Sequence, residues 1–319
     1  MTALEPVTPD RTGFRYSVVI PVYNSEGVVG ATAAAVLDSF RGAGLDFELI
    51  LVNDGSKDQS WQVIADLARA EPEITSINLL RNYGQHNANL AGLRASTGDY
   101  LITLDDDLQN PPDQALRLID KALAGDHDVV FGQFDSKQAA GYRRIGTKLI
   151  AMINSRVFEK PPDLVVSNFR ILRRDVVERI SESTTTYPYL TGQALMYSHS
   201  CANETVRHEP RTIGTSTYSL VRILRLVATI LFSYSVFPLR VAALGGFAIS
   251  VLSFLIGAYY LLHAAFGASR VQGWTTTVVL LAMFNGVVIM LLSMLGEYVV
   301  RTLNLVSHAA TYHVRETIR

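Results

Sequence analysis

YLITLDDDLQ, residues 100–109, sets a mostly apolar run against three adjacent carboxylates. A short, β-branched run bounded by polar residues reads as a buried strand. In open α/β sheets, ligands bind beyond the carboxyl ends of the strands. Asp105, Asp106 and Asp107 therefore stand where a ligand is received. Three neighbouring like charges are unfavourable without a cation or a basic partner. Residues 105 and 107 project to one side of an extended segment, which suits a hard divalent ion held by one or two carboxylates, water and substrate phosphates. Gln109 adds a neutral oxygen. The spaced acidic pattern and closing Glu of an EF-hand are missing.

Working outward, SVVIPV (17–22), FELILV (47–52), Ile74–Leu80 and His127–Gly132 read as further strands. Amphipathic stretches alternate with them: about 26–40, a second through Trp61 and Leu67, 86–95, and one opened by Pro111-Pro112 and running to about Leu123. Such βαβα alternation predicts a parallel sheet covered by helices on both faces. Residues 143–158 read as a helix, and Phe169–Leu172 and Thr205–His208 as additional strands. Two more strand ends carry polar clusters, Pro21-Val-Tyr23-Asn24-Ser25-Glu26 and Asn53-Asp54-Gly55-Ser56. One such cluster alone reads as a turn or helix cap. Three at one sheet edge point to a binding site. No Gly-x-Gly-x-x-Gly follows the first strand and no Gly-x-x-x-x-Gly-Lys occurs, which argues against dinucleotide and P-loop folds.

The remainder of the chain differs in composition. Val241–Ser269 and Val271–Gly296 contain no Asp, Glu, Lys or Arg, and each exceeds the ~20 residues a helix needs to cross a bilayer. Ser219–Tyr234, apolar apart from Arg222 and Arg225, reads as an amphipathic helix in the headgroup region. Two spans, 241–264 and 274–296, are expected. Arg222, Arg225 and Arg240 precede them, Arg301, Arg315 and Arg319 follow, and the connecting loop holds only Arg270. The positive-inside rule then places both termini in the cytoplasm. Residues 220–319 carry a net charge of +5 and the front part −6, a poor footprint for nucleic-acid binding. The single cysteine, Cys201, excludes an internal disulfide. Met1–Arg15 has no apolar core, so no cleaved leader is expected.

The ordered set VVIPVYN, VNDGSKD, LLRNYGQHNANLAGLRASTGDYLITLDDDLQNPP and two C-terminal spans resembles family 2 glycosyltransferases of the polyprenyl-phosphate type, over residues 16 to about 300. That resemblance implies a Rossmann-like GT-A α/β domain at 16–218 after a flexible 1–15. A juxtamembrane helix (219–235), a two-helix membrane domain (236–300) and a C-terminal tail (301–319) would follow. It further implies a UDP- or GDP-sugar donor, Mg²⁺ or Mn²⁺, and inverting transfer of a hexose to a polyprenyl phosphate, undecaprenyl phosphate in a bacterium. A homo-oligomer at the bilayer is expected.

Carried over by residue, Pro21, Tyr23, Asn24, Asn53, Asp54, Arg81, Asp106 and Ser216 fall to the nucleotide sugar. Asp105, Asp107 and Gln109 fall to the metal, and Arg211 to the diphosphate. Arg143, Arg144 and Arg170 are candidates for the acceptor phosphate. Two departures stand out: Thr217 where relatives often carry Lys, and Asn168 where some carry an Asp proposed as base, so no base is assigned. The competing readings are a transferase with a polysaccharide or glycolipid acceptor, and an inert scaffold. The absence of Gln-x-x-Arg-Trp weighs against a processive synthase, and the intact acidic motif weighs against a scaffold.

Overall fold

In a computed structural model, the described residues are 9–134, 155–183, 185, 188–207, 209, 234, 241, 244–246, 248, 251–252, 255, 273–306 and 311–319. The chain divides into two compact units, one of residues 1–223 with 310–319 and the other of residues 224–309.

In the first unit, β1 (Arg15–Val22), β2 (Asp46–Asn53), β3 (Ile74–Leu79) and β4 (Tyr100–Thr103) alternate with α1 (Val29–Gly42), α2 (Ser60–Ala70) and α3 (Gln85–Ala95). Then come α4 (Asp113–Gly125), β5 (Val129–Phe134), β6 (Arg170–Arg173), α5 (Arg174–Glu182), α6 (Leu190–Tyr197) and β7 (Cys201–Val206). The strands form one eight-stranded sheet in the order β7-β5-β6-β4-β1-β2-β3-β8, where β8 is Val314–Ile318. The expected parallel core is present: β1 pairs in parallel with β2 and β4, and β2 with β3. Two strands correct the all-parallel expectation, because β6 runs antiparallel to both β4 and β5, and β8 antiparallel to β3.

Seven of the eight β1 residues are buried, as a strand covered on both faces requires. Val18, Ile20 and Val22 join Val36 and Phe40 of α1, Ile64 of α2 and Leu118 of α4 in the main core. Each such side chain stabilises the fold by about 1.5–3 kcal/mol. Val19 points to the opposite face, where α3 comes so close that a Cβ on Gly92 would lie 2.3 Å from the Val19 Cγ1. Glycine there lets the helix seat directly on the sheet.

In the second unit, α7 (Trp274–Val306) is a continuous helix of 33 residues. Its sequence is uncharged from 274 to 296, and Ile289, Met290 and Leu292 are exposed on it. Over the side chains that are described, no helix is long and apolar enough to cross a membrane. The expected amphipathic helix at 219–235 and most of the first expected span lie outside the described residues.

Candidate active site

The ends of β1, β2 and β4 converge as the strand pattern requires. Pro21, Val22, Tyr23, Asp54, Asn82, Gly84, Gln85, Asp105, Asp106, Asp107, Gln109 and Asn168 line one cavity of about 480 Å³. The positive end of α3 opens on it through Gly84 and Gln85, which favours anionic groups nearby. Two non-glycine residues beside the cavity hold positive φ, Asn24 at 52° and Leu108 at 57°. Such backbone is costly outside glycine and concentrates at functional sites.

The three aspartates have different surroundings. Asp105 accepts a 2.6 Å hydrogen bond from Gln85 Nε2. Burial, with Asp107 and Asp106 adding repulsion, pushes its carboxyl up to about 6. Asp106 accepts from the Ser25 hydroxyl and, at 3.4 Å, from the Tyr23 N–H, so it ties the β1 loop to the β4 end. Burial raises its carboxyl too. Asp107 Oδ1 accepts from the Gln109 N–H at 3.2 Å, in the turn that returns Gln109 to the cavity. Among the described residues, no group of three or more His, Cys, Asp or Glu side chains converges to hold a metal alone.

Asp54 is buried, and its two oxygens accept the backbone N–H of Tyr83 at 2.7 Å and of Gly84 at 2.8 Å. It thus fixes the 81–85 loop that forms a wall of the cavity. Burial raises its carboxyl against the lowering effect of those two bonds. Gly55, at φ +64°, lets the β2 turn pass under that loop: a Cβ there would lie 2.5 Å from the Arg81 carbonyl carbon and the Asn82 nitrogen.

Several expected contacts are placed differently. Asn53 lies beneath the cavity, donating to Asn78 Oδ1 at 2.8 Å and accepting from the Ser56 N–H. Asn24 Oδ1 accepts from the Lys57 N–H, so this side chain joins the β1 and β2 turns. The Arg81 guanidinium lies over the Tyr83 ring, 5.1 Å from its centroid. Arg170 is fully buried, donates to Thr191 Oγ1 at 2.9 Å, and is not among the residues that line the cavity. Burial lowers its pKa to about 10. His86, beside it, is held down to about 4 by burial, with Arg170 adding repulsion. Arg143, Arg144, Arg211 and Ser216 lie outside the described residues. Asn82, expected beside Arg81 near the nucleotide, lines the cavity, and Ser25 of the first polar cluster bonds to Asp106, whereas Gln85 had no role assigned from the sequence. Asn168, noted there only as a departure, also lines the cavity.

The model of glycosyl transferase family 2 matches residues 17–181. Among curated relatives, an undecaprenyl-phosphate 4-deoxy-4-formamido-L-arabinose transferase of Pectobacterium atrosepticum is 35% identical over 309 residues, 95% of this chain and 93% of its own length. A protein of the same name from Pseudomonas paraeruginosa is 34% identical, covering 95% and 90%. Among solved structures, glucosyl-3-phosphoglycerate synthase of Mycobacterium tuberculosis, in complex with Mn²⁺, UDP-glucose and phosphoglyceric acid, aligns with a TM-score of 0.49 at 18% identity. That alignment covers 69% of this chain and 78% of that one. On the family match and the near full-length relatives, the chain belongs to glycosyl transferase family 2 and is a glycosyltransferase.

Proposed function

We propose that this enzyme transfers a sugar from a nucleoside-diphosphate donor to a polyprenyl phosphate, as the names of both relatives suggest for an undecaprenyl-phosphate acceptor. The observation that carries the reading is the cavity in which Asp105, Asp107 and Gln109 meet Tyr23 and the Asp54-fixed loop.

The donor set fits Mg²⁺ or Mn²⁺. It offers hard oxygen ligands from Asp105, Asp107 and Gln109, with a coordination shell left for donor phosphates. Burial, with repulsion from Asp107 and Asp106 added to it, pushes Asp105 up to about 6, and a cation bound there would offset both. When bound there, a divalent ion neutralises the leaving diphosphate. The protein's share is orientation and preorganised electrostatics. Tyr23 and Pro21 border the space for the base and ribose. Arg211 and Ser216 contact the diphosphate, and Arg143 and Arg144 receive the acceptor phosphate. That phosphate is already ionised near neutral pH and attacks the anomeric carbon from the face opposite the leaving group, so a general base is dispensable.

A polyprenyl chain remains in its bilayer, and α7 gives the enzyme a reason to be there. At 1.5 Å per residue its uncharged stretch, 274–296, extends about 35 Å, against a hydrocarbon core of about 30 Å. In this reading 241–264 and 274–296 span the cytoplasmic membrane, both termini are cytoplasmic, and the enzyme works as a homo-oligomer.

The test is a labelled sugar-nucleotide screen, including the 4-deoxy-4-formamido-L-arabinose nucleotide, with membranes and undecaprenyl phosphate. Transfer to the lipid by the wild type and its loss in Asp107→Asn are expected. Normal turnover by Asp107→Asn at ordinary Mg²⁺ or Mn²⁺ would remove the metal assignment.

A further inference from the structure

The tail reading of residues 301–319 leaves their last stretch without a role, yet this stretch belongs to the catalytic unit. β8 adds to the sheet edge beside β3, with Ser76 opposite Ile318, Ile77 opposite Thr317, Asn78 opposite Glu316 and Leu79 opposite Val314. The pairing continues past β3, where the Leu80 N–H donates to the His313 carbonyl at 2.9 Å. From there the chain enters the 81–85 loop that walls the donor cavity. The His313 ring lies against Tyr83, centroids 6.5 Å apart. Tyr83 also carries the Arg81 guanidinium and donates its N–H to Asp54. One residue earlier, the Tyr312 ring receives Arg94 of α3 at 5.5 Å. The loop is therefore gripped from two sides, by Asp54 from within and by residues 312–314 from the sheet edge.

We infer that Tyr312 and His313, presented by β8, are positioning residues for the nucleotide sugar, acting through Tyr83 and the loop that bears Asn82, Gly84 and Gln85. This rests on the donor reading of the cavity. An edge strand that served only to cover β3 needs no aromatic pair directed at the loop and at α3. The C-terminal segment then has a part in substrate binding separate from membrane attachment.

The test uses the full chain in lipid nanodiscs. Wild type, Tyr312→Ala/His313→Ala, Tyr312→Phe/His313→Phe and Arg315→Ala are compared for UDP and GDP binding with Mn²⁺, and for donor kinetics. The double alanine variant should weaken nucleotide binding and raise donor KM by roughly 3- to 10-fold, the weight of one or two aromatic contacts. Its kcat should stay within about twofold, and its acceptor KM should not move. The double phenylalanine variant, which keeps the rings, should recover wild-type values, and Arg315→Ala should match wild type. Wild-type nucleotide affinity in a folded double alanine variant overturns the inference, as does an equal loss in the phenylalanine or Arg315 variants. If the double alanine variant does not fold, His313→Ala alone carries the same comparison. Wild-type protein that binds neither UDP nor GDP refutes instead the donor reading, and the inference falls with it.

Discussion

Asp54→Asn tests how the cavity wall is held. Both carboxylate oxygens accept backbone N–H groups, from Tyr83 at 2.7 Å and Gly84 at 2.8 Å. Asparagine retains one oxygen and turns an NH₂ toward the other N–H, so one charge-assisted bond is lost and two donors face each other. Such a bond contributes about 1.5–3 kcal/mol. Part is offset, because burial disfavours the Asp54 charge in the first place. A net loss of about 1.5 kcal/mol corresponds to roughly tenfold in donor kcat/KM. It also lowers Tm by about 3–6 °C for a unit of this size. Steady-state kinetics with donor varied, beside thermal melts, measure both. Asp58→Asn is the control: Asp58 also accepts backbone N–H groups, but from Glu26 and Ser60 rather than from the 81–85 loop. Donor kcat/KM within twofold of wild type, with Tm lowered as expected, would falsify the claim that Asp54 acts on the donor by fixing this loop.

Gly55→Ala should lower stability by at least about 2 kcal/mol, from left-handed strain and the approach to Arg81 and Asn82. It should raise donor KM as the loop is displaced; unchanged melting and kinetics would contradict the close approach. His86 gives a pH dependence. Its folded pKa lies near 4 against the usual 6.5, so its contribution is complete above 6.5 and is lost as pH falls toward 4, to a limit of about 3 kcal/mol. Asp105, raised to about 6, acts with the opposite sign, losing stability as pH rises from 3.8 to 6. Melting of wild type against His86→Gln across pH 4–7 isolates the histidine term, and parallel curves would contradict its burial in neutral form.

The parallel core was legible because strands buried on both faces read as continuous apolar runs, and β1 and β2 do so with little interruption. The acidic cluster was legible for a related reason: apolar strands fix the direction in which their polar ends point. Strand direction is not encoded in periodicity, so the antiparallel setting of β6 could not be read from its four residues. Polar side chains at strand ends look alike in sequence whether they face a ligand or the next turn. Asn24, Asn53 and Asp54 all bond to neighbouring turns or strands, and their partners Lys57, Asn78 and Tyr83 come from other segments. Arg170 was a candidate for the acceptor phosphate, and nothing in the sequence marked it for burial, since arginine is seldom buried. Its burial follows from β6 lying between β4 and β5. Gln85 offered no signal of its own, since its contact with Asp105 depends on where α3 begins.

β8 was hidden for a different reason, and it changes what truncation should do. VRETI has apolar residues only at its ends, four of its five residues are exposed, and its partner strand lies far away in sequence. Read as a tail, residues 301–319 carry no expected part in the catalytic sheet. Ending the chain at Val236 would, however, strip β8 from β3 and leave the Ser76–Leu79 edge without its four paired residues. Each net backbone hydrogen bond contributes about 0.5–1.5 kcal/mol, so losing a ladder of four paired residues should cost about 2–6 kcal/mol. An uncovered edge strand is also a template for aggregation. The alternative deletion removes 236–309 and rejoins 310–319 through a flexible Gly/Ser linker, which keeps β8 available to the sheet. It should melt about 5–10 °C above the simple truncation and stay monodisperse where the truncation aggregates. Both forms should use long-chain lipid acceptors in bilayers poorly, since both lack α7. Equal melting and equal solubility of the two deletions would mean that β8 does not support the catalytic sheet. Undiminished use of long-chain acceptors would mean that the apolar segment is not what brings the lipid to the site.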